Sequence, residues 1–373
     1  MRVLHLLSST GYHGAETMAA ELVRHSAALG IESQVGVFDN DGRGDRQILE
    51  TIKPTGARGF VIPCRGQFDR AAVRAIADTV RDQSIDVIHS HKYKTMFHAL
   101  LARRRQPVPI LSTYHNWLEE NFRLKVYAWI DRRLARYADA AVGVSTPVTE
   151  VLRRHAPAER VHYIGNGIDT ERFTPGPSSP NKGAAARARI GLGDGPVIGF
   201  VGRLTAQKGV EVLIEAFHRL AHPAARLLIV GDGERRAALE AAAQAGRNAP
   251  RIVFLGSRSD TPELFRAMDL FVLPSYVEAF PMVLLEAMAT EVPVIGTPVG
   301  DVPKIIAANT GWLVPLGDAA ALATRLAAAL GDPPALAAMG RTARASVVAK
   351  HSAQAFARSY VNLYEQIVRA RGA

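Results

Sequence analysis

Residues 196–230 read PVIGFVGRLTAQKGVEVLIEAFHRLAHPAARLLIV. A short β-rich run is followed by a turn-forming segment, a helical pattern through GVEVLIEAFHRL, and a second β-rich run. Strand, helix, strand at this spacing makes the two strands parallel, because the helix returns the chain to the edge where the first strand began. The series continues with RIVFLGS, LFVLPS and PVIGTP. An earlier series runs through MRVLHLLSS, the helical ETMAAELVRHSAAL, SQVGVF, VIHS, PILSTYH, AAVGVS and VHYIG. Between them lies the Pro/Gly/Ser-rich break TPGPSSPNKG. Two such series predict an α/β chain of two Rossmann-like, doubly wound domains, residues 1–170 and 171–353. The last helical stretch, residues 354–373, has no strand after it and is expected to pack back on the first domain.

Length agrees, since 373 residues exceed what one core usually supports. With 48% hydrophobic and 21% charged residues the chain should be soluble and well packed. MRVLHLLSSTGYHGAE has one arginine, a very short apolar run and no small-residue cleavage site, so it reads as a strand and not a signal peptide. No apolar run approaches the ~20 residues of a membrane span. Cys64 is the only cysteine, which rules out an internal disulfide and fits a reducing cytoplasm.

Ligands of doubly wound sheets sit at the carboxyl ends of strands. In the second domain those ends carry Gly202-Arg203 with Lys208, Gly231-Asp232-Gly233, Ser257-Arg258, and Ser275 leading to Glu278. In the first they carry Gly11 to Glu16, the acidic loop after Phe38, His89, His91 and His115. GRLTAQKG places two cations at the start of a helix, where exposed N–H groups already favour an anion; Arg203 and Lys208 together suit a diphosphate. GxxxxGK[ST] is missing, and GDGERR and GLGDG lack a complete GxGxxG, which disfavours nicotinamide chemistry. In PSYVEAFPMVLLEAMA, residues 274–289, Pro281 suits the first turn of a helix, with Glu286 inside it and Glu278 on the loop before. Two carboxylates in so apolar a stretch need partners. The vicinal hydroxyls of a ribose and a hexose would supply them, and a nucleotide-sugar carries both rings joined by a diphosphate.

Other motifs have plainer readings. His89 and His91 have a metal-compatible spacing but no evident third ligand. DNDGRGDRQILE, residues 39–50, imitates a calcium loop, yet Arg43 occupies a ligand position and a strand precedes it where a helix should. The same DND imitates the metal-binding DxD of another transferase fold and reads as coincidence. Residues 92–136 hold ten Lys/Arg (92, 94, 103, 104, 105, 123, 125, 132, 133, 136) against Glu119, Glu120 and Asp131, a local +7 within a formal net charge of +10. That run is either a solvated face or a patch for anionic lipid head groups; nucleic acid is disfavoured for want of a recognisable module or aromatic platform.

Together the motifs resemble the family 4 glycosyltransferases, over essentially the whole chain. HGAE at 13–16 resembles the family's GGAE, TYHN at 113–116 its threonine-aromatic-histidine element, IGNGID at 164–169 its PNG[VI]D turn, GRLTAQKG its GRLxxxKG, and EAFPMVLLE at 278–286 its E-x7-E motif. The resemblance implies a GT-B architecture, two domains facing across a cleft, with acceptor bound by the first and sugar nucleotide by the second. It puts Arg203 and Lys208 on the diphosphate, Glu286 on the ribose and Glu278 on the donor sugar. Phe280, Pro281, Met282 and Val283 complete the donor-binding motif, and Ser257 and Arg258 stand where the nucleobase is read by backbone groups. His115 would line the donor sugar from the opposite domain, and Gly14 would let the backbone approach the reacting centre. Departures are His13 for a glycine, Ala279 and Pro281 where EGFG has glycines, and Asp301 and Lys304 in VGDVPKII for the glycine and glutamate of VGGxPEII.

The activity so implied is retaining transfer of a hexose or N-acetylhexosamine from a nucleotide-diphosphate sugar, UDP favoured and GDP-mannose next. The expected acceptor is a hydroxyl of a lipid-linked or polysaccharide acceptor. No metal or other cofactor is called for, and the expected location is cytoplasmic, at most peripheral at the inner face of the membrane. A sugar-nucleotide epimerase or hydrolase of the same fold, or a catalytically silent binding subunit, are the alternatives.

Overall fold

The computed structural model describes residues 1–8, 11, 14–42, 44, 46–115, 122–176 and 183–372. His13 of HGAE, Asn116 of TYHN, Arg43 and Asp45 of the acidic loop, Glu119 and Glu120 of the basic run and residues 177–182 of the break lie outside the described residues, as does the side chain of Arg123. The chain divides into two compact units, Met1–Gly167 with Ala353–Ala373, and Ile168–Ser352. These crossings lie three residues and one residue from the expected boundaries. Ile168 bridges to Ser352 and donates its N–H to His351 O at 2.8 Å, which keeps both segments in the second unit.

In the first unit the described residues form seven strands: β1 (Arg2–Leu7), β2 (Glu32–Phe38), β3 (Arg58–Ile62), β4 (Val87–Ser90), β5 (Ile110–Tyr114), β6 (Ala140–Gly143) and β7 (Val161–Tyr163). All pair in parallel in the order β3-β2-β1-β4-β5-β6-β7. β1 and β4 to β6 are buried almost end to end, as strands covered on both faces must be. Leu4, Leu6, Ile76, Ile88, Met96 and Ile110 anchor a fully buried core. The returning helix Ala353–Gly372 belongs to this unit, with Tyr360 and Tyr364 buried.

The second unit forms six parallel strands among the described residues: β8 (Val197–Val201), β9 (Arg226–Val230), β10 (Ile252–Gly256), β11 (Leu270–Leu273), β12 (Val294–Gly296) and β13 (Gly311–Leu313), in the order β10-β9-β8-β11-β12-β13. Phe200, Phe217, Phe265, Phe271 and Leu285 fill its core. Both sheets therefore have the doubly wound pattern, with strand order reversing beside β1 and beside β8. At a reversal the connections diverge to opposite faces and leave a crevice at the carboxyl edge.

Candidate active site

β8 and β11 are neighbours at the reversal point of the second sheet, so the loops leaving their carboxyl ends are side by side. After β8 the chain makes a 3-10 turn, Ala206–Lys208, and reaches Gly209 at φ +61°, before the helix Val210–Arg219. A Cβ at Gly209 would lie 2.3 Å from Pro274 O, and Tyr276 N–H donates to Gln207 O at 2.8 Å. Only glycine combines that backbone with so close an approach. The turn is thereby fastened to the loop after β11.

The consequence is an ion pair: Lys208 Nζ lies 2.6 Å from Glu278 Oε1, which also accepts from Ser275 Oγ at 2.7 Å. Ser275 is fully buried, and its carbonyl accepts from Thr297 Oγ1 just beyond β12. From the other side Gly300, at φ +53°, leaves only 2.2 Å between a would-be Cβ and Glu278 O, and Asp301 N–H donates to Ala279 O at 3.0 Å. Asp301 is buried and Lys304 exposed. Ala279 is not among the described non-glycine residues of positive φ, so its replacement of a glycine imposes no strain. Ser275 was placed at a strand end without a role and Thr297 was not found, because hydroxyls that hold a carboxylate carry no spacing signal.

Pro281 stands at the cap position, with φ −79° and ψ 101°, one residue before the helix Met282–Ala289 rather than in its first turn as expected. Its extended ψ is the reason. Met282 and Val283 are half-buried in the first turn, and the buried Phe280 ring lies 5.7 Å from that of His351. Glu286 is half-buried, and burial pushes its carboxyl up to about 7 against the opposing pull of the Arg172 charge. The two glutamates thus differ: one is neutralised by a lysine, the other is held close to its titration point. Arg203 is exposed. Ser257 and Arg258 follow β10, both exposed, and Arg258 grips Asp260 through two hydrogen bonds of 2.9 and 2.7 Å. Those bonds hold Asp260 below the usual carboxylate range.

In the first unit Gly14 opens the helix Gly14–Ala27 after β1, exposed and with nothing within 4 Å of a would-be Cβ. His115 directly follows β5; burial pushes its imidazole down to about 4, aided by the charge of Lys92 and opposed by Glu16. Lys92 Nζ lies 3.4 Å from the buried Glu16. His115 is therefore neutral near pH 7.

His89 and His91 gain a third imidazole that spacing alone did not show. Strand register sets His5 beside His89, and one ring nitrogen from each of the three lies within 4.8 Å of the others. The donor set nonetheless fits a metal poorly. His89 Nδ1 meets Tyr364 OH at 2.7 Å and Nε2 meets Thr113 Oγ1 at 2.8 Å, so both nitrogens are committed, while His5 Nδ1 faces His91 Nε2 at 3.4 Å. Burial pushes His5 down to about 3 and the other two well below their usual range. All three are neutral imidazoles, and His89 ties the returning helix to the sheet.

In the acidic loop Gly44 N–H donates to Asp39 O at 2.7 Å, Asp39 pairs with Arg46 at 2.8 Å and Asp41 accepts from Gly66 N–H at 3.1 Å. Asp39 thus serves this turn and Asp41 fastens it to the loop after β3. The basic run is not one patch either: Lys94 is buried on Asn40 Oδ1 and Gly66 O, both at 2.7 Å, Lys92 faces Glu16, and Arg103 pairs with Asp139 at 3.0 Å.

Known proteins share this architecture. The family model described as "Glycosyltransferase Family 4" matches residues 12–172, and "Glycosyl transferases group 1" matches residues 184–346. An alpha-maltose-1-phosphate synthase of Mycolicibacterium smegmatis is 30% identical over 76% of this chain and 80% of its own length. The UDP-Gal:alpha-D-GlcNAc-diphosphoundecaprenol alpha-1,3-galactosyltransferase of Escherichia coli is 30% identical over 64% of this chain and 65% of its own. Among solved structures, HepE of Anabaena in complex with UDP superposes with a TM-score of 0.84 at 21% identity, covering 98% of this chain and 100% of that one. The two doubly wound domains are those of the GT-B fold.

Proposed function

The chain belongs to the family 4 glycosyltransferases, and from that premise we propose that it moves a hexose or N-acetylhexosamine, with retention, from a nucleotide-diphosphate sugar to a hydroxyl of a lipid-linked or polysaccharide acceptor. The observation that carries this reading is the 2.6 Å contact of Lys208 with Glu278, which unites the cationic turn and the carboxylate loop at one crevice. A UDP-sugar is favoured, since the Escherichia coli relative is named for UDP-Gal and HepE was crystallised with UDP; GDP-mannose comes next.

Arg203 and Lys208, with the first-turn N–H groups of Met282 and Val283, receive the diphosphate. Their charge and dipoles stabilise the negative charge that grows as the anomeric C–O bond breaks, usually the largest contribution to such a step. Glu286 accepts from the ribose hydroxyls. Glu278 lies against the hexose and moderates Lys208. Phe280 and Pro281 shape the start of the helix, and Ser257 with the backbone at Arg258 borders the base. Gly14 and the neutral His115, of the first unit, are the residues that the family resemblance adds to the reaction. Bond making follows on the face the leaving group vacates: the acceptor oxygen bonds to the anomeric carbon while its proton passes to a departing phosphate oxygen. No step of this reaction is routed through a metal ion. This work belongs at the inner face of a membrane, where lipid-linked acceptors are found.

The test is nucleotide release from UDP- and GDP-sugars with and without an acceptor mixture. Acceptor-dependent release is expected. Acceptor-independent release would instead indicate a hydrolase or epimerase, and none at all a binding subunit.

A further inference from the structure

The helix Phe122–Leu134 carries an apolar stripe that the first unit leaves in solvent. Phe122 is 82% exposed, Trp129 56% and Val126 38%. Their spacing, i, i+4 and i+7, puts them on one face, and Arg133 extends the same row at i+11, with its guanidinium 4.9 Å from the centre of the Trp129 ring. Lys125 and Arg136 are exposed nearby, and Tyr137 is 52% exposed. On the other side Ala128 is buried and Tyr127 stacks on Tyr93 at 4.8 Å, so the helix is seated on the unit with this stripe outward. FRLKVYAWIDRRL contains four cations and a single acid, Asp131, which is half-buried.

The geometry points to this helix as a membrane-docking surface that lies in the plane of an anionic bilayer, Phe122, Val126 and Trp129 among the acyl chains and Lys125, Arg133 and Arg136 at the head groups. Exposed aromatic side chains of this size cost free energy in water, and a row of them rimmed by cations matches the boundary where apolar depth meets negative charge. A second copy of the chain matches it less well, because a two-fold contact on this stripe brings two copies of the same cationic rim, Lys125, Arg133 and Arg136, together. At 13 residues the helix is too short to span, and no helix among the described residues is long and apolar enough to do so. The contact narrows the expectation of a lipid patch spread over residues 92–136, of which Lys94 is buried and Lys92 and Arg103 face acids of their own unit. The helix follows β5, whose carboxyl end carries His115. Docking therefore brings that edge to the layer holding a lipid-linked acceptor, and in this respect the inference rests on the function proposed above.

Co-sedimentation of the full chain with vesicles tests it without any transfer assay. Binding is expected to vesicles with about 30 mol% phosphatidylglycerol, weak binding to pure phosphatidylcholine, and loss of most binding in about 0.5 M salt. The pair F122S and W129S should weaken binding by about tenfold or more at unchanged melting temperature, and K125E with R133E should abolish the preference for anionic vesicles. Equal binding by F122S/W129S and the parent chain would refute apolar insertion, as would no vesicle binding at all. A concentration-dependent dimer without lipid, lost in F122S/W129S, would assign the stripe to a second copy. Nucleotide release that persists while vesicle binding fails would remove this inference and leave the proposed activity standing.

Discussion

Replacing Glu286 by glutamine removes a carboxyl that the fold holds near its titration point. Burial raises it from 4.5 to about 7. A folded-state value above the unfolded one means the folded chain holds its proton more tightly. The acid form is then the compatible one, and stability is lost as pH rises from about 4.5 through about 7, staying low above that. A shift of ~2.5 units corresponds to about 3 kcal/mol at ~1.36 kcal/mol per unit. Partial solvent access to Glu286 screens some of this, so about 1–3 kcal/mol is expected. Glu286→Gln keeps the shape, cannot ionise, and should be more stable than the parent by that amount at about pH 8 and nearly level with it at about pH 4.5. Urea melts of both proteins at the two pH values measure it, since other titrating groups cancel in the difference. The same difference at both pH values would refute the claim that an ionised carboxylate is strained there. Calorimetry with free UDP supplies the second arm: parent affinity should rise with pH through about 7, as the carboxylate that accepts the ribose hydroxyls forms, and the variant should lack that rise.

Three further expectations follow from the same contacts. Arg203→Ala and Lys208→Ala should each cost about 2–4 kcal/mol of transition-state stabilisation, read from kcat/KM on the intact donor; activity within about threefold of the parent in both would overturn the diphosphate assignment. Glu278→Ala frees Lys208 and removes a group facing the ring that gains charge, so its loss should fall on kcat with near-normal affinity for free nucleotide, whereas Glu286→Ala should appear mainly in KM; equal loss of nucleotide affinity in the two would show that the roles are wrongly divided. His89→Ala breaks the buried contacts to Tyr364 and Thr113 and should destabilise the first unit by about 2–4 kcal/mol, with urea melts as the measure and Tyr364→Phe, which removes one of those contacts, showing part of the same loss.

The alternation of strands and helices was legible because buried parallel strands read as continuous apolar runs, and RVLHLL or RLLIV admit little else. The loops were legible for the same reason: once the strands are parallel, Arg203, Lys208 and Glu278 must fall at the carboxyl edge of the second sheet and His115 at that of the first. Side-chain partnership was not. Nothing in PSYVEAF states that Lys208 reaches Glu278, because the contact depends on Gly209 passing within van der Waals distance of Pro274 O, a property of two loops packed together. His5 was missed because its neighbour is set by register between strands more than 80 residues apart, for which sequence spacing holds no information. The basic run was legible only as a sum, since formal charge counts Lys94 equally whether its ammonium is buried on carbonyl oxygens or free.

The return of Ala353–Gly372 to the first unit makes that unit discontinuous, with the whole of Ile168–Ser352 inserted between its parts. Synthesis runs from the N-terminus, so every residue of the second unit leaves the ribosome before the helix that supplies Tyr360 and Tyr364. During that interval the seven-stranded sheet is assembled without its last helix, and His89 and Thr113 wait, in a sheet otherwise complete, for hydroxyls not yet made. The inserted unit, which is continuous, can close first. In the order of birth, the domain encoded second is finished before the one encoded first.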